Sequence, residues 1–150
     1  MTAYVGIDPG LDGGLAAITD DNLYVVRMPT ANDHGKRQID TARILTIFVE
    51  LGPSIIAVED VNAGAVPGRG SAFAFGRGVG RIEGVITALG RPCDYVRPQR
   101  WLRDLGIGVG AGKAEHIATA RRLFPAVTID TDGQADALLI AEWCRRTWRK

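Results

Sequence analysis

The sequence predicts an α/β fold: a mixed five-stranded sheet, made of an antiparallel meander followed by parallel strands, with helices on both faces. Three apolar runs near the start are joined by short turns alone, as in a meander. They are Tyr4–Asp8, Leu15–Thr19 and Leu23–Met28. Two later apolar runs, Ser54–Glu59 and Cys93–Val96, each follow a helical pattern, which indicates parallel strands reached by crossover helices.

The segments between and after these strands have apolar residues near a helical period, or helix start and stop signals. The predicted helices are Ile39–Leu51, Ser71–Leu89, Pro98–Leu105, Lys113–Phe124 and Gly133–Trp148. The polar segment Pro29–Gln38 is predicted to be a loop. With 150 residues, 46% of them apolar, the chain can bury one core, so residues 1–150 are predicted to form a single domain.

The cysteine and hydropathy patterns predict a cytoplasmic protein without a membrane partner. Cys93 and Cys144 have no CxxC spacing, and we interpret them as reduced packing residues in a reducing compartment. No apolar run approaches the roughly 18 to 20 residues needed to span a bilayer. Met1-Thr2-Ala3 passes straight into the first strand, so we also expect no signal peptide.

Charge is unevenly distributed along the chain, although the formal net charge is only +1. Residues 1–68 contain four basic and nine acidic residues, whereas residues 69–122 contain ten basic and four acidic ones. An acidic cluster for divalent metal beside an arginine-rich surface is what a metal-dependent enzyme acting on nucleic acid requires. A solvated helix face gives the same pattern, so charge alone leaves both interpretations open.

Four carboxylates lie where this fold would bring them together. Asp8 ends the first strand before the glycine-rich turn 9–14, and Glu59 ends the fourth strand. Asp132 and Asp136 are four residues apart at the start of the last helix, and therefore share one face. Capping of the helix is an alternative explanation for Asp132, but Asp136 lies beyond the cap. Clustered carboxylate oxygens suit a hard divalent cation such as Mg²⁺.

Five motifs, in this order, resemble the RuvC-type Holliday junction resolvases of the RNase H-like superfamily. They are Gly6-Ile7-Asp8-Pro9-Gly10, Val58-Glu59, Gly76-Arg77-Gly78-Val79-Gly80, Lys113 at the start of a helix, and the run ADALLIA at 135–141. Turns similar to GIDPG also occur in sugar-kinase and actin-type ATPases, but the joint order and spacing are specific. The resemblance covers nearly the whole chain, and the short length is most similar to phage-encoded members.

The resemblance implies an RNase H-like nuclease domain that acts as a homodimer on four-way or other branched DNA, in the host cytoplasm if it is phage-encoded. It implies paired symmetric nicks that leave a 5′ phosphate, two Mg²⁺ ions per active site with Mn²⁺ as a substitute, and no organic cofactor. Asp8, Glu59 and Asp136 would be metal ligands. The fourth family position, an acid or histidine, falls on Gly133, so Asp132 is expected to serve instead. Lys113 would stabilise charge at the scissile phosphate.

Arginines and phenylalanines in the basic half of the chain are the predicted DNA-binding residues. The arginines expected to contact phosphates are Arg69, Arg77, Arg81, Arg97, Arg100 and Arg103. Phe73 or Phe75, in the glycine-rich segment 62–75, is expected to enter the junction centre as a wedge, but two core phenylalanines on a helix are an equally good explanation. Trp101 is interpreted as structural. His34 and His116 lack metal-ligand spacing and are assigned no catalytic role.

Other functions share parts of this pattern. A related RNase H-like nuclease that acts on other branched DNA or on RNA–DNA hybrids would have the same acids, and the sequence does not separate it from a resolvase. An actin-type or sugar-kinase phosphotransferase needs a duplicated domain, for which 150 residues leave no room. A binding module or scaffold without catalysis would leave Asp8 and Glu59 unexplained.

Overall fold

The computed structural model describes residues 1–62 and 66–149 and contains the mixed five-stranded sheet that the sequence predicts. The strands are β1 (Ala3–Asp8), β2 (Gly14–Ile18), β3 (Leu23–Arg27), β4 (Thr30–Asp33), β5 (Lys36–Ile39), β6 (Ser54–Glu59) and β7 (Cys93–Val96). The helices are α1 (Thr41–Leu51), α2 (Arg69–Ala88), α3 (Pro98–Asp104), α4 (Lys113–Leu123) and α5 (Asp132–Trp148). Each helix begins and ends within two residues of its predicted bounds.

The main sheet has the strand order β3-β2-β1-β6-β7. β1, β2 and β3 pair antiparallel as a meander, because only short turns connect them. β6 runs parallel to β1, and β7 runs parallel to β6, with α1 and α2 as the crossover connections. The carboxyl ends of β1 and β6 therefore lie side by side at one edge of the sheet.

Helices cover both faces of the main sheet, as predicted. On one face, α1 and α2 contribute buried side chains such as Phe48 and Ile82 to a core with β1, β2 and β6. On the other face, α3, α4 and α5 form a second core, in which Trp101 and Leu138 are fully buried. Removal of this apolar surface from water is the main favourable contribution to folding.

Glycines allow α5 to lie directly on the sheet. A Cβ at Gly6 would be 2.1 Å from the carbonyl oxygen of Ala137, and a Cβ at Gly14 would be 2.5 Å from that of Gly133. A side chain at either position would push the helix away from the strands, because the neighbouring atoms are backbone and cannot rotate aside. The sequence thereby sets a close distance between α5 and the strand that ends in Asp8.

The prediction of a loop at 29–38 is wrong, because β4 and β5 form a separate antiparallel hairpin there. His34 and Gly35 make its turn with positive φ values of 48° and 75°, as a two-residue type I′ turn requires. Ile39 belongs to β5, so α1 begins at Thr41. The hairpin is largely exposed and therefore lacks the apolar alternation by which half-buried strands are recognised.

Two smaller expectations concern the cysteines and the membrane. Cys93 and Cys144 are free thiols, as predicted. In the part of the chain that the structure describes, none of the helices combines the length and the apolar character needed to cross a bilayer.

Candidate active site

Three carboxylates, which we call the acidic trio, meet at one edge of the main sheet: Asp8, Glu59 and Asp136. Asp8 and Glu59 end β1 and β6, which pair in parallel with Ile7 beside Val58, so the two acids are neighbours. Asp136 lies on the second turn of α5, just before the point where the helix backbone touches β1. The structure thus brings together three residues that are far apart in sequence.

Burial is the largest cause that raises the pKa of every member of the acidic trio, and repulsion by nearby carboxylates adds to it. Burial, followed by the charge of Asp136, raises the pKa of Asp8 from 3.8 to about 6. Burial, followed by the charge of Asp8, raises the pKa of Glu59 from 4.5 to about 7. Burial also raises the pKa of Asp136, against the opposing effect of His116. The surroundings leave the negative charge of the trio undercompensated, and this favours a bound cation.

Two aromatic side chains contact the trio from α3 and α4. Nε1 of Trp101 donates to Oε1 of Glu59 at 3.0 Å, and Nδ1 of His116 lies 2.7 Å from Oδ1 of Asp136. The two rings meet edge to face, with their centroids 5.6 Å apart. The sequence predicts neither contact: Trp101, which is 1% exposed, also packs in the core as expected, and the expectation that His116 has no catalytic role stays a prediction. Sequence spacing gives no signal for pairs separated by 42 and 20 residues.

Asp132 and Lys113 form an exposed ion pair beside the trio, between Nζ of the lysine and Oδ2 of the aspartate. The hydrogen bond from Lys113 lowers the pKa of Asp132, and the same bond raises the pKa of Lys113. Asp132 is not the helix cap, since Thr131 caps α5 and forms a capping box with Gln134. Unlike the trio, this carboxylate already has a cation of its own.

Gly133 cannot carry a side chain in this fold. A Cβ there would be 2.3 Å from the carbonyl oxygen of Asp12 and 2.6 Å from the carbonyl carbon of Gly13. The close approach of α5 to the glycine-rich turn gives a physical reason why this chain has glycine where the resemblance expects a fourth ligand. Asp132, one residue earlier, is free of this steric limit.

The acidic trio and Asp132 supply the hard oxygen donors that Mg²⁺ prefers. Among the His, Cys, Asp and Glu side chains of residues 1–62 and 66–149, no three are already arranged to hold one ion. Glu59 and Asp136 each accept a hydrogen bond through one oxygen, from Trp101 and His116, and Asp132 is paired with Lys113. The donor chemistry and the undercompensated charge fit a divalent cation.

A cavity of about 370 Å³ lies next to the turn after Asp8, between the β4–β5 hairpin and the first half of α2. Apolar side chains and cationic side chains both line it, including Pro9, Leu11, Ile39, Phe75, Lys36, Arg37, Arg77 and Arg81. Arg37 ties the hairpin to the turn, because its guanidinium donates to Oδ1 of Asp12 at 2.7 Å and to the carbonyl oxygen of Leu11 at 2.6 Å. Sequence reasoning missed Lys36 and Arg37, since it assigned them to a loop.

The predicted DNA-binding residues of α2 lie at and around this cavity. Phe73 is 67% exposed, so the core interpretation is wrong for this residue, while Phe75 lines the cavity. The guanidinium of Arg77 lies 5.8 Å from the centre of the Phe73 ring. Arg81 is partly buried and donates to the carbonyl oxygen of Ile39 at 3.4 Å.

The remaining predicted arginines are exposed. Arg97 lies 3.8 Å from Asp60, and both Arg100 and Arg103 lie within 3.8 Å of Asp104 on α3. Arg69 begins α2. Residues 63–65, near the start of the predicted glycine-rich segment 62–75, lie outside the described residues.

Comparison with known proteins identifies the architecture. The structure is similar to that of T. thermophilus RuvC in complex with a Holliday junction substrate, with a TM-score of 0.70 and 20% identity over 99% of this chain and 97% of that one. The chain has the RuvC fold. A second Thermus thermophilus RuvC structure gives a TM-score of 0.66 and 22% identity over 97% and 95% of the two chains. No family model matches the sequence.

A sequence match agrees with this fold. In an alignment 85 residues long that covers 52% of this chain, the sequence is 35% identical to the chloroplastic Holliday junction resolvase MOC1 of Chlamydomonas reinhardtii. The alignment covers only 10% of the length of that curated relative.

Proposed function

We propose that this chain is a Mg²⁺-dependent endodeoxyribonuclease that resolves four-way DNA junctions by paired symmetric nicks, each leaving a 5′ phosphate. The observation that supports it most strongly is the acidic trio: three partly buried carboxylates, from β1, β6 and α5, with raised pKa values and the donor chemistry for a divalent cation. The RuvC fold adds support, because one of the structures that share it is bound to a Holliday junction.

In this proposal the chain's own residues bind the metal and orient the reacting groups. Two Mg²⁺ ions, when bound, supply an activated water and neutralise the leaving 3′ oxygen, and Mn²⁺ can substitute for them. Asp8, Glu59 and Asp136 would hold the ions, with Asp132 as a fourth ligand. Lys113, which pairs with Asp132 in this structure, would bring its ammonium to the scissile phosphate and stabilise the charge that develops there.

The substrate interface in this proposal surrounds the trio on two sides. Phe73 projects from α2 into solvent and is the candidate wedge at the junction centre. Arg77 and Arg81, beside the cavity near the turn after Asp8, and Arg97, Arg100 and Arg103 near α3 would bind phosphates, as would Arg69. The unpredicted Lys36 extends this basic surface onto the hairpin.

The proposal includes a homodimer, because the chain supplies one acidic trio and two symmetric nicks require two such sites. A dimer also matches the two-fold symmetry of a four-way junction. Cytoplasmic localisation and a phage origin remain predictions.

Cutting of a synthetic four-way junction with labelled strands tests the proposal. With Mg²⁺, the wild type should cut two opposing strands at symmetric positions near the centre, and DNA ligase should seal the nicks because each has a 5′ phosphate. Linear duplex should be largely spared, and Asp8→Asn should bind the junction without cutting it. Cutting of the RNA strand in an RNA–DNA hybrid, with no cutting of the junction, would instead support the related nuclease and refute the resolvase.

A further inference from the structure

His116 reaches the acidic trio from α4, an element that contributes no member of the trio. Its Nδ1 is 2.7 Å from Oδ1 of Asp136, and the two side chains are only 12% and 17% exposed. A contact of this length is a hydrogen bond, and with Asp136 ionised, as a metal ligand must be, the ring donates through Nδ1. The bond commits one oxygen of Asp136 and leaves the other for a ligand.

The surroundings fix the orientation of the His116 ring. The edge-to-face contact with Trp101 holds one side, and Trp101 is itself tied to Glu59. Nε2 of His116 is buried and has no hydrogen-bond partner among the described residues. A residue that only filled this space could be apolar, without a buried nitrogen that lacks a partner, so the burial of an imidazole here points to the bond made by Nδ1.

The trio gets no comparable support from the start of α5. Gly133 has no side chain and no room for one, and Asp132 is paired with Lys113. Metal-binding carboxylates depend on hydrogen-bond donors outside the metal's own ligands to hold their orientation. For Asp136, the donor comes from α4.

We propose that His116 is a positioning residue of the metal centre. Through Nδ1 it holds Asp136 in the orientation from which the acidic trio binds a divalent cation, and Trp101 keeps the ring in place while donating to Glu59. This inference rests on the metal centre of the proposed function, and nothing in the spacing of the sequence predicts it. Loss of the donor is expected to weaken cation binding by about 10- to 100-fold.

Two isosteric amides test the role of Nδ1, with Mn²⁺ as the probe. In His116→Asn the side-chain nitrogen can occupy the position of ring Nδ1, whereas in His116→Gln it occupies the position of ring Nε2. His116→Leu fills the space without a donor. Free Mn²⁺ is measured by electron paramagnetic resonance during titration, and Tm without metal reports on folding. His34→Asn, at the exposed hairpin turn, is the matched control for the chemical change.

We expect His116→Asn to bind Mn²⁺ within a few-fold of wild type, and both His116→Gln and His116→Leu to bind about 10- to 100-fold more weakly, with His34→Asn unchanged. If the leucine variant fails to fold, the comparison of asparagine with glutamine still decides. Equal Mn²⁺ affinity for the asparagine and glutamine variants overturns the proposal, whether both match wild type or both are weakened. The junction assay is independent: a wild type that binds Mn²⁺ but cuts no junction refutes the resolvase function and leaves the role of His116 standing.

Discussion

The acidic trio and the pair formed by Asp132 and Lys113 lie side by side, yet their surroundings shift the pKa values of their carboxyl groups in opposite directions. The trio is partly buried, its pKa values are raised, and its aromatic partners offset the negative charge only in part. Asp132 is more exposed, and the Lys113 ammonium lowers its pKa. The Lys113 ammonium compensates the charge of Asp132, whereas the charge of the trio is compensated only in part. A divalent cation should therefore matter far more to the trio.

The largest expected effect is on catalysis. Replacement of a trio member by its amide, as in Asp8→Asn or Glu59→Gln, removes a proposed metal ligand and should slow junction cutting by about 1,000-fold or more. Rates under single-turnover conditions measure this, and gel-shift binding of the junction without metal serves as the control. A loss of less than about tenfold in either variant would remove the trio from the catalytic centre.

A change of stability comes next, and it tests the claim that α5 approaches the glycine-rich turn too closely for a side chain. Gly133→Asp should lower the free energy of unfolding by about 2 to 4 kcal/mol, because its Cβ meets backbone atoms. Gly84→Ala is the matched control, since Cβ space there is open and alanine favours a helix by up to about 1 kcal/mol. Urea unfolding of both variants and of the wild type measures these free energies. Equal stability of Gly133→Asp and wild type would contradict the steric explanation.

A smaller catalytic effect is expected for the ion pair. Lys113→Met removes the ammonium from the scissile phosphate and should reduce cutting by roughly 10- to 100-fold, with trio metal binding retained. Asp132→Asn should cost a similar or smaller factor. Metal titrations of the cutting rate separate the two roles: the lysine variant should lose maximal rate, and the asparagine variant should need more Mg²⁺. An unchanged rate for both would exclude the pair from the chemistry.

The smallest expected effect concerns pH and stability without metal. Because the folded pKa values of Asp8 and Glu59 are about 6 and about 7, above their ordinary values, the folded state binds more protons than the unfolded state between about pH 4 and pH 7. Stability contributed by these groups therefore falls as pH rises through that window. Asp8→Asn should be about 1 to 3 kcal/mol more stable than wild type at pH 8, and about equal to it near pH 4. Urea unfolding at both pH values checks this, and a less stable variant at pH 8 would contradict it.

Most of the fold follows from local patterns. Alternating and apolar runs bounded by turns predicted β1, β2, β3, β6 and β7, and a helical period predicted all the described helices to within two residues. The β4–β5 hairpin escaped prediction because its strands are exposed and polar. Its only local signal is the turn residue Gly35 after His34.

The candidate site was predictable only in part. Asp8 and Glu59 stand out because a carboxylate directly ends an apolar strand, and Asp136 because it lies beyond the helix cap and precedes an apolar stretch of α5. The contacts of Trp101 and His116 were not predictable, since they depend on how α3 and α4 pack against α5 and not on spacing within any one element. The close packing of α5 against the glycine-rich turn likewise explains why residue 133 is a glycine. From the sequence alone, this glycine is only a departure from the pattern of the family that the chain resembles.

Calorimetric titration with Mg²⁺ at pH 8 tests most directly whether the acidic trio is the cation site. Wild type should bind Mg²⁺, Asp8→Asn should lose measurable binding, and Asp132→Asn should retain it with reduced affinity. At pH 7 the wild type should also release protons on binding, because the raised pKa of Glu59, about 7, leaves that carboxyl partly protonated before the metal arrives. A wild type that binds no Mg²⁺, or an Asp8→Asn variant that binds it as tightly as wild type, would contradict the account.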